Sequence, residues 1–189
     1  RQVTFKINNE VTPSRAGYRR PPYHLIKATS EELELMEVQD VIEKVPPEEA
    51  VTWVSAIRVV EKEKKPGTVR ITTDARAANK AIERPRLVTP TVEEIAYDLN
   101  GAKYFSRIDF NKAFHQAVLA PEVRHITTFI THQGLYRYKR LTMGISCASE
   151  LFQNLIQFYV LKGLEGVRNL ADDVIVYGAT KEEHDKRLR

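Results

Sequence analysis

Three aspartates stand at the ends of apolar segments, where a carboxylate can reach both solvent and a bound ion. Asp109 ends the mainly apolar run 104–108, and the pair Asp172-Asp173 lies between the apolar stretches 169–171 and 174–177. A strand that ends at a carboxylate places it at the rim of a sheet. We therefore expect all three aspartates at the edge of one sheet, with the pair near the tip of a hairpin.

Each aspartate taken singly is an ordinary residue of a surface turn, because turns favour Asp. The pair Asp172-Asp173 differs from a simple turn because four consecutive apolar residues follow it. Two like charges beside a buried strand repel each other and lose hydration unless a cation compensates them. Oxygen ligands with no histidine nearby in sequence favour a hard cation such as Mg²⁺.

The segments that must position these residues mix strands and helices, with hairpins more frequent than strand-helix-strand crossovers. We predict a helix opened by a Thr29–Glu32 capping box, a helix from about Ala75, a helix capped by Thr91 and Glu94, helices over 111–119 and 146–162, and a last helix opened by Thr180 and Glu183. We predict strands over 52–61, 69–73, 104–109, 127–131, 135–141 and 174–177. The fold class is α+β with a largely antiparallel sheet. The polar, proline-containing residues 1–24 are predicted as an N-terminal arm or linker, and residues 25–189 as the folded part.

Composition excludes several classes of protein. Of the 189 residues, 42% are hydrophobic, which supports a packed core, and the single cysteine, Cys147, excludes a disulfide framework within the chain. The formal charge of +4 suits a polyanionic partner without identifying one. We find no apolar run long enough to span a membrane. The chain opens at Arg1 and stops inside a helix-like segment, so we expect a piece of a longer polyprotein.

Four sequence motifs follow one another along the chain: RITTDARAAN at 70–79, YFSRIDFNKAFHQ at 104–116, the segment 134–153 around MGIS at 143–146, and LADD at 170–173. In this order they resemble the motifs of reverse transcriptases from gypsy-type LTR retrotransposons. Each motif alone is weak evidence, whereas the four in order, which cover roughly residues 25–188, are strong evidence. The resemblance implies the fingers and palm of an RNA-directed DNA polymerase, whose palm carries an antiparallel sheet and helices.

The resemblance also implies roles for individual residues. Asp109, Asp172 and Asp173 are expected to be catalytic and to hold two Mg²⁺ or Mn²⁺ ions, with Asp173 less direct and the Phe110 carbonyl as a further ligand. The residues expected to contact the incoming nucleotide are Arg70, Lys64, Ala113, Phe114 and Met143. In this set Arg70 would grip the triphosphate, Lys64 would be its companion, and Phe114 would exclude a sugar that carries a 2′-hydroxyl.

The expected substrates are deoxynucleoside triphosphates and an RNA or DNA template-primer. The expected partners are the other parts of a polyprotein: thumb, RNase H, protease and integrase. Expected localisation is cytoplasmic, with a virus-like particle in the life cycle and no membrane association.

Two alternatives remain at this point. A retroelement remnant could bind nucleic acid without polymerising, although the three aspartates are intact. An RNA-directed RNA polymerase with a related palm is the other, and Phe114 argues against it because such an enzyme must admit the 2′-hydroxyl. Leu170, Ser149, Met143 and the segment 72–75 depart from the commoner family residues, but none of these departures removes an expected metal ligand.

Overall fold

A computed structural model describes residues 2–87, 90–170 and 172–189. The chain divides into two compact units. The first unit contains Arg1–Arg84 and His115–Ala148, and the second contains Pro85–Phe114 and Ser149–Arg189. Each unit therefore combines two separate segments of the chain.

The described residues form short helices and strands in nearly equal measure. The α-helices are α1 (Ile26–Val38), α2 (Arg76–Ala81), α3 (Val92–Asp98), α4 (Pro121–Arg124), α5 (Ala148–Leu155) and α6 (Lys181–Leu188). The strands are β1 (Gln2–Val3), β2 (Lys6–Ile7), β3 (Ile42–Lys44), β4 (Ser55–Glu61), β5 (Val69–Thr73), β6 (Ile82–Glu83), β7 (Tyr104–Asp109), β8 (Val118–Leu119), β9 (Phe129–Thr131), β10 (Gly134–Tyr138), β11 (Val167–Leu170) and β12 (Asp173–Gly178).

The first unit is built on a five-stranded sheet with the strand order β3-β10-β9-β4-β5. Its neighbours pair antiparallel except β4 and β9, which run parallel. The Phe129 ring on β9 packs against the rings of Tyr136 and Tyr138 on β10, and all three side chains are almost fully buried, as are Leu33 and Val69. Both hairpins predicted in this region, β4–β5 and β9–β10, are confirmed.

The first predicted capping box is wrong. Helix α1 already begins at Ile26, and the Thr29 hydroxyl is buried inside it, where it donates to the Leu25 carbonyl at 2.6 Å. A threonine in a helix can bond back to the carbonyl four residues earlier, and a capping pattern does not distinguish that position from a helix start. The helix ends at Val38, and a left-handed backbone at Asp40 (φ +57°) turns the chain into β3.

The N-terminal residues make backbone pairs with distant segments. β1 runs parallel to β8, and β2 runs antiparallel to β6. Val3 and Phe5 are buried by these contacts. The residues predicted as an arm thus contribute strand pairing and core side chains to the first unit.

The second unit contains an antiparallel sheet of three strands with the order β11-β12-β7. Alternate residues of β12 are buried, Val174 and Val176 among them, so one face of the sheet carries the core. Helix α3 begins with the predicted capping box, in which the Thr91 hydroxyl accepts from the Glu94 amide at 3.2 Å and the Glu94 carboxylate accepts from the Thr91 amide at 2.8 Å. The fold class, α+β with mainly antiparallel sheets, is as predicted.

Among the described residues, no helix combines the length and the apolar character that a membrane crossing requires.

Candidate active site

The edge of the second unit's sheet gathers the predicted acidic residues. Asp109 is the last residue of β7, Asp173 is the first residue of β12, and the antiparallel register places them directly opposite each other. Side chains of directly opposed residues share one face, with Cβ atoms about 4.5–5.5 Å apart. Asp172 immediately precedes Asp173, between β11 and β12, so all three carboxylates lie at the same end of the sheet.

The carboxylates are accessible, and one of them has a cationic partner. Asp109 is exposed, and Asp172 and Asp173 are partly exposed. The Arg107 guanidinium lies beside Asp173, with 3.2 Å between Nε and Oδ1. Arg107 was not among the predicted site residues, although its position two before Asp109 on a strand predicts that the two side chains share a face.

The donor set suits a hard divalent cation, because it consists of carboxylates. Within residues 2–87, 90–170 and 172–189, however, no three His, Cys, Asp or Glu side chains are grouped so that they could hold a metal ion. The backbone register brings the aspartates together, whereas Asp173 is turned toward Arg107. The residues therefore suit a divalent cation in their chemical type and backbone position, but the Asp173 carboxylate is paired with Arg107.

The chain turns sharply just after Asp109. Lys112 adopts a left-handed backbone (φ +50°), an unusual conformation for a residue other than glycine. A short 3₁₀ helix, Ala113–Gln116, follows it, and then comes β8. The helix predicted over 111–119 is therefore wrong, because the turn at Lys112 and the pairing of β8 with β1 leave only a single short turn of helix.

An aromatic cluster packs beside this turn. Phe152 on α5 is fully buried and meets Phe110 and Phe114 edge-on, with ring centroids 5.8 and 5.6 Å apart. Ala113 is also buried, whereas Phe114 is only partly so. The Phe114 ring thus packs against Phe152, while the residue as a whole stays partly exposed.

Helix α6 holds β7 from the opposite face of the sheet. His184 is buried there, and its Nε2 lies 3.0 Å from the Ser106 hydroxyl. A Cβ at Gly178 would come within 2.7 Å of the His184 backbone nitrogen, so only glycine allows this close approach of helix and strand. The helix therefore fixes the strand that ends at Asp109.

The other predicted nucleotide contacts lie in the first unit. Arg70 is exposed on β5, opposite Val60, and Lys64 is exposed in the turn between β4 and β5. Neither side chain makes an ion pair with any residue that the structure describes. Both cations are therefore available to an anionic ligand.

Met143, also in the first unit, lies on a loop that is held by a residue distant in sequence. Its side chain is 58% exposed, and the adjacent Gly144 has φ +98°. The Asn79 side chain donates to the Gly144 carbonyl at 2.7 Å and accepts from the Ser146 amide at 2.9 Å. No local pattern marks Asn79 for this role, because its partners lie 65 and 67 residues away.

A basic groove of about 660 Å³ lies in the first unit. Its cationic side chains are Arg19, Arg20, Arg58 and Arg76. Two hydrogen bonds from Arg76, at 2.8 and 2.6 Å, lower the pKa of the Asp74 carboxyl to about 2. The excess of cations over carboxylates makes this groove a candidate surface for phosphates.

Comparison with known proteins links this geometry to one family. Residues 60–189 match the family described as reverse transcriptase (RNA-dependent DNA polymerase). Among curated Drosophila melanogaster proteins, the chain is 34% identical over 121 residues to the retrovirus-related Pol polyprotein from transposon 412, covering 63% of this chain and 10% of that protein. It is 27% identical over 143 residues to the corresponding polyprotein from transposon gypsy, covering 75% of this chain and 14% of that protein.

A solved structure has the same fold. It is the foamy viral protease–reverse transcriptase in complex with RNA/DNA hybrid, matched with a TM-score of 0.80 and 22% identity over 97% of this chain and 24% of that chain. This chain spans only a seventh or less of the length of either Drosophila polyprotein.

Proposed function

Because the chain belongs to the reverse transcriptase family, a family of RNA-directed DNA polymerases, we propose that it adds deoxynucleotides to a primer 3′ end by a two-metal mechanism. The observation that carries this proposal is the register that sets Asp109 opposite Asp173, with Asp172 adjacent. A surface turn does not require carboxylates from two separate strands to converge at one point. In the family's terms, we assign the second unit to the palm and the first to the fingers.

Reverse transcriptases generally depend on a divalent metal. We assign Asp109 and Asp172 as the carboxylates that hold Mg²⁺ or Mn²⁺, with the Phe110 carbonyl beside them and Asp173 in a less direct role. Bound ions would supply Lewis-acid chemistry, activating the primer hydroxyl and neutralising charge on the triphosphate. The chain's own contribution is to fix the carboxylates on a rigid sheet edge that α6 supports from behind.

The incoming nucleotide requires cations for its triphosphate and a surface for its sugar. Arg70 offers a planar guanidinium that can grip phosphate with two parallel hydrogen bonds, and Lys64 offers a point charge nearby on the same hairpin. Phe114 is assigned to the sugar, next to Ala113, and Met143 to the base or template. These assignments rest on motif position, exposure and charge.

The template-primer is the proposed polyanionic partner. The Arg19, Arg20, Arg58 and Arg76 groove supports this assignment, because phosphate contacts dominate the affinity of proteins for nucleic acids of any sequence. The foamy viral relative is described in complex with an RNA/DNA hybrid. We propose that this chain likewise binds the hybrid that reverse transcription produces.

The relatives are polyproteins, so we propose that thumb, RNase H, protease and integrase parts accompany this chain in a longer product. Reverse transcription would then take place in the cytoplasm, within a virus-like particle. The competing RNA polymerase function is disfavoured by Phe114, and a non-catalytic remnant is disfavoured by the three intact aspartates.

Removal of single carboxylates tests the proposal. Asp109→Asn or Asp172→Asn, introduced into the full-length protein, should abolish primer extension while leaving the circular dichroism spectrum and melting temperature unchanged. Glu182→Gln, an exposed carboxylate on α6 of the same unit, is the matched control and should extend primers normally. Near-wild-type extension by either aspartate variant would overturn the catalytic assignment.

A further inference from the structure

Arg107 is a cation on the same sheet face as Asp109 and Asp173. It lies two residues before Asp109 on β7, and residues two apart on a strand project from one face. Asp173 is opposite Asp109 and therefore shares that face. Arg107 is diagonal to Asp173, a separation that a long side chain can bridge, and the Nε–Oδ1 distance is 3.2 Å.

This ion pair changes which carboxylates are available to a cation. Two carboxylates directly opposed on a sheet repel each other, and the guanidinium offsets that repulsion by pairing with Asp173. Asp109 and Asp172 make no ion pair with any residue in the described part of the chain. Of the three aspartates, Asp173 is therefore the one that a cation of the chain itself engages.

We propose that Arg107 is a positioning residue that withholds Asp173 from the divalent-ion site, leaving Asp109 and Asp172 as the resident ligand pair. This inference rests on the proposed function for the identity of the site. With Arg107 in place, an ion meets two free carboxylates instead of three. Asp173 becomes a ligand only when the guanidinium releases it.

The arrangement lowers the affinity of the ion-free chain for a divalent cation, for two reasons. One negative ligand is neutralised, and an ion that recruits Asp173 must first break its pair with Arg107. The pair is partly exposed, with 68% of the Arg107 side chain and 41% of the Asp173 side chain accessible. Water therefore screens the attraction, and the free-energy cost of breaking the pair is small. Such a site would fill most readily when a triphosphate brings further oxygen ligands.

Mn²⁺ binding measured by electron paramagnetic resonance of the free ion, without nucleotide or nucleic acid, tests the inference independently of activity. Arg107→Gln should bind Mn²⁺ about three- to tenfold more tightly, because a partly screened unit charge at this distance has an effect of that order. Arg107→Lys keeps the charge and should stay within about twofold of the wild type.

A double-mutant cycle separates an effect through Asp173 from a general charge effect. Asp173→Asn alone should change Mn²⁺ affinity little, and in that background Arg107→Gln should no longer tighten binding. Arg168→Gln is the matched control, because Arg168 lies on the same face and pairs instead with Asp98 at 2.6 Å. An equal gain from Arg107→Gln with and without Asp173 would overturn the inference, as would the same gain from Arg168→Gln.

One further variant distinguishes failure of the inference from failure of the proposed function. Asp109→Asn should abolish specific Mn²⁺ binding. If it binds as the wild type does, the ion site itself is wrongly assigned, and the inference falls with it. If Asp109→Asn abolishes binding but Arg107→Gln leaves affinity unchanged, the ion site stands and only the role of Arg107 is refuted.

Discussion

Replacement of Phe114 by valine separates a sugar-contacting role from simple core packing. The structure supports both roles, since the ring packs edge-on against the buried Phe152 and remains partly exposed. Valine keeps an apolar side chain but removes the ring. If Phe114 contacts the sugar, the space that opens admits a 2′-hydroxyl, and ribonucleotides should be incorporated more readily.

The magnitude follows from the contacts of the ring. An edge-on aromatic pair contributes about 0.5–1.5 kcal/mol beyond buried area, and truncation of a partly buried ring adds a cavity cost, so we expect a loss of about 1–2 kcal/mol in the free energy of unfolding. In a chain of 189 residues this corresponds to a fall of about 2–8 °C in melting temperature. Selectivity should change separately, with the ratio of ribonucleotide to deoxynucleotide incorporation rising at least about tenfold, or about 1.4 kcal/mol.

The assay compares kcat/KM for single additions of a ribonucleotide and a deoxynucleotide by the full-length protein, beside the melting temperature. Phe152→Leu is the matched control, because Phe152 belongs to the same aromatic cluster but is fully buried. It should lower the melting temperature and reduce both incorporations equally. An unchanged ratio in Phe114→Val, with stability lost as in Phe152→Leu, would mean that Phe114 is only a packing residue.

Three further predictions concern charge and ionisation. Arg70→Ala should raise the KM for the incoming nucleotide about ten- to a hundredfold, since a charge-assisted hydrogen bond contributes about 1.5–3 kcal/mol; an unchanged KM with weaker template binding would instead place Arg70 on the nucleic acid. Nucleic-acid affinity should fall steeply with salt concentration for any sequence. Joint replacement of Arg19 and Arg20 by Ala should reduce the slope of log K against log salt by about one to two. An unaltered slope would show that the groove does not bind the nucleic acid. Burial raises the pKa of Tyr136 from 10.0 to about 12. The stabilisation that the protonated phenol contributes is therefore complete below pH 10 and is lost as the pH rises toward 12. In Tyr136→Phe, the free energy of unfolding measured by urea titration should fall less over that pH range.

Several features of the site follow from short-range patterns. The strand that ends at Asp109 has the predicted bounds, and the capping box at Thr91 and Glu94 forms as predicted, because each depends on side chains at most a few residues apart. The hairpin that carries Asp172 and Asp173 also follows from the sequence, because the acidic pair separates two apolar stretches. The local pattern of residue types therefore predicted which residues reach the sheet edge.

Longer-range contacts overrode local preference elsewhere. The predicted helix over 111–119 gives way to a turn at Lys112 and to β8, whose partner β1 lies more than a hundred residues earlier. The Thr29 hydroxyl is used inside a helix that starts earlier than its capping pattern suggests. At β8 the tertiary partner was absent from the local window on which the prediction depended. At Thr29 the partner, the Leu25 carbonyl, is only four residues away, and the prediction failed because a capping pattern does not distinguish a helix start from a position inside a helix.

The sequence by itself determined that three carboxylates stand at strand ends, that an aromatic ring follows Asp109 by five residues, and that cations lie on the β4–β5 hairpin. Only the tertiary structure decided the register that sets Asp109 opposite Asp173, the ion pair between Arg107 and Asp173, and the attachment of the Met143 loop to Asn79. The physical reason is that residue type and alternation specify the face of a strand, whereas pairing between strands sets which residues on that face meet. A shift of one residue in that pairing would leave every motif intact, but Asp109 would no longer lie opposite Asp173, and the buried side chains of β12 would move to the other face of the sheet.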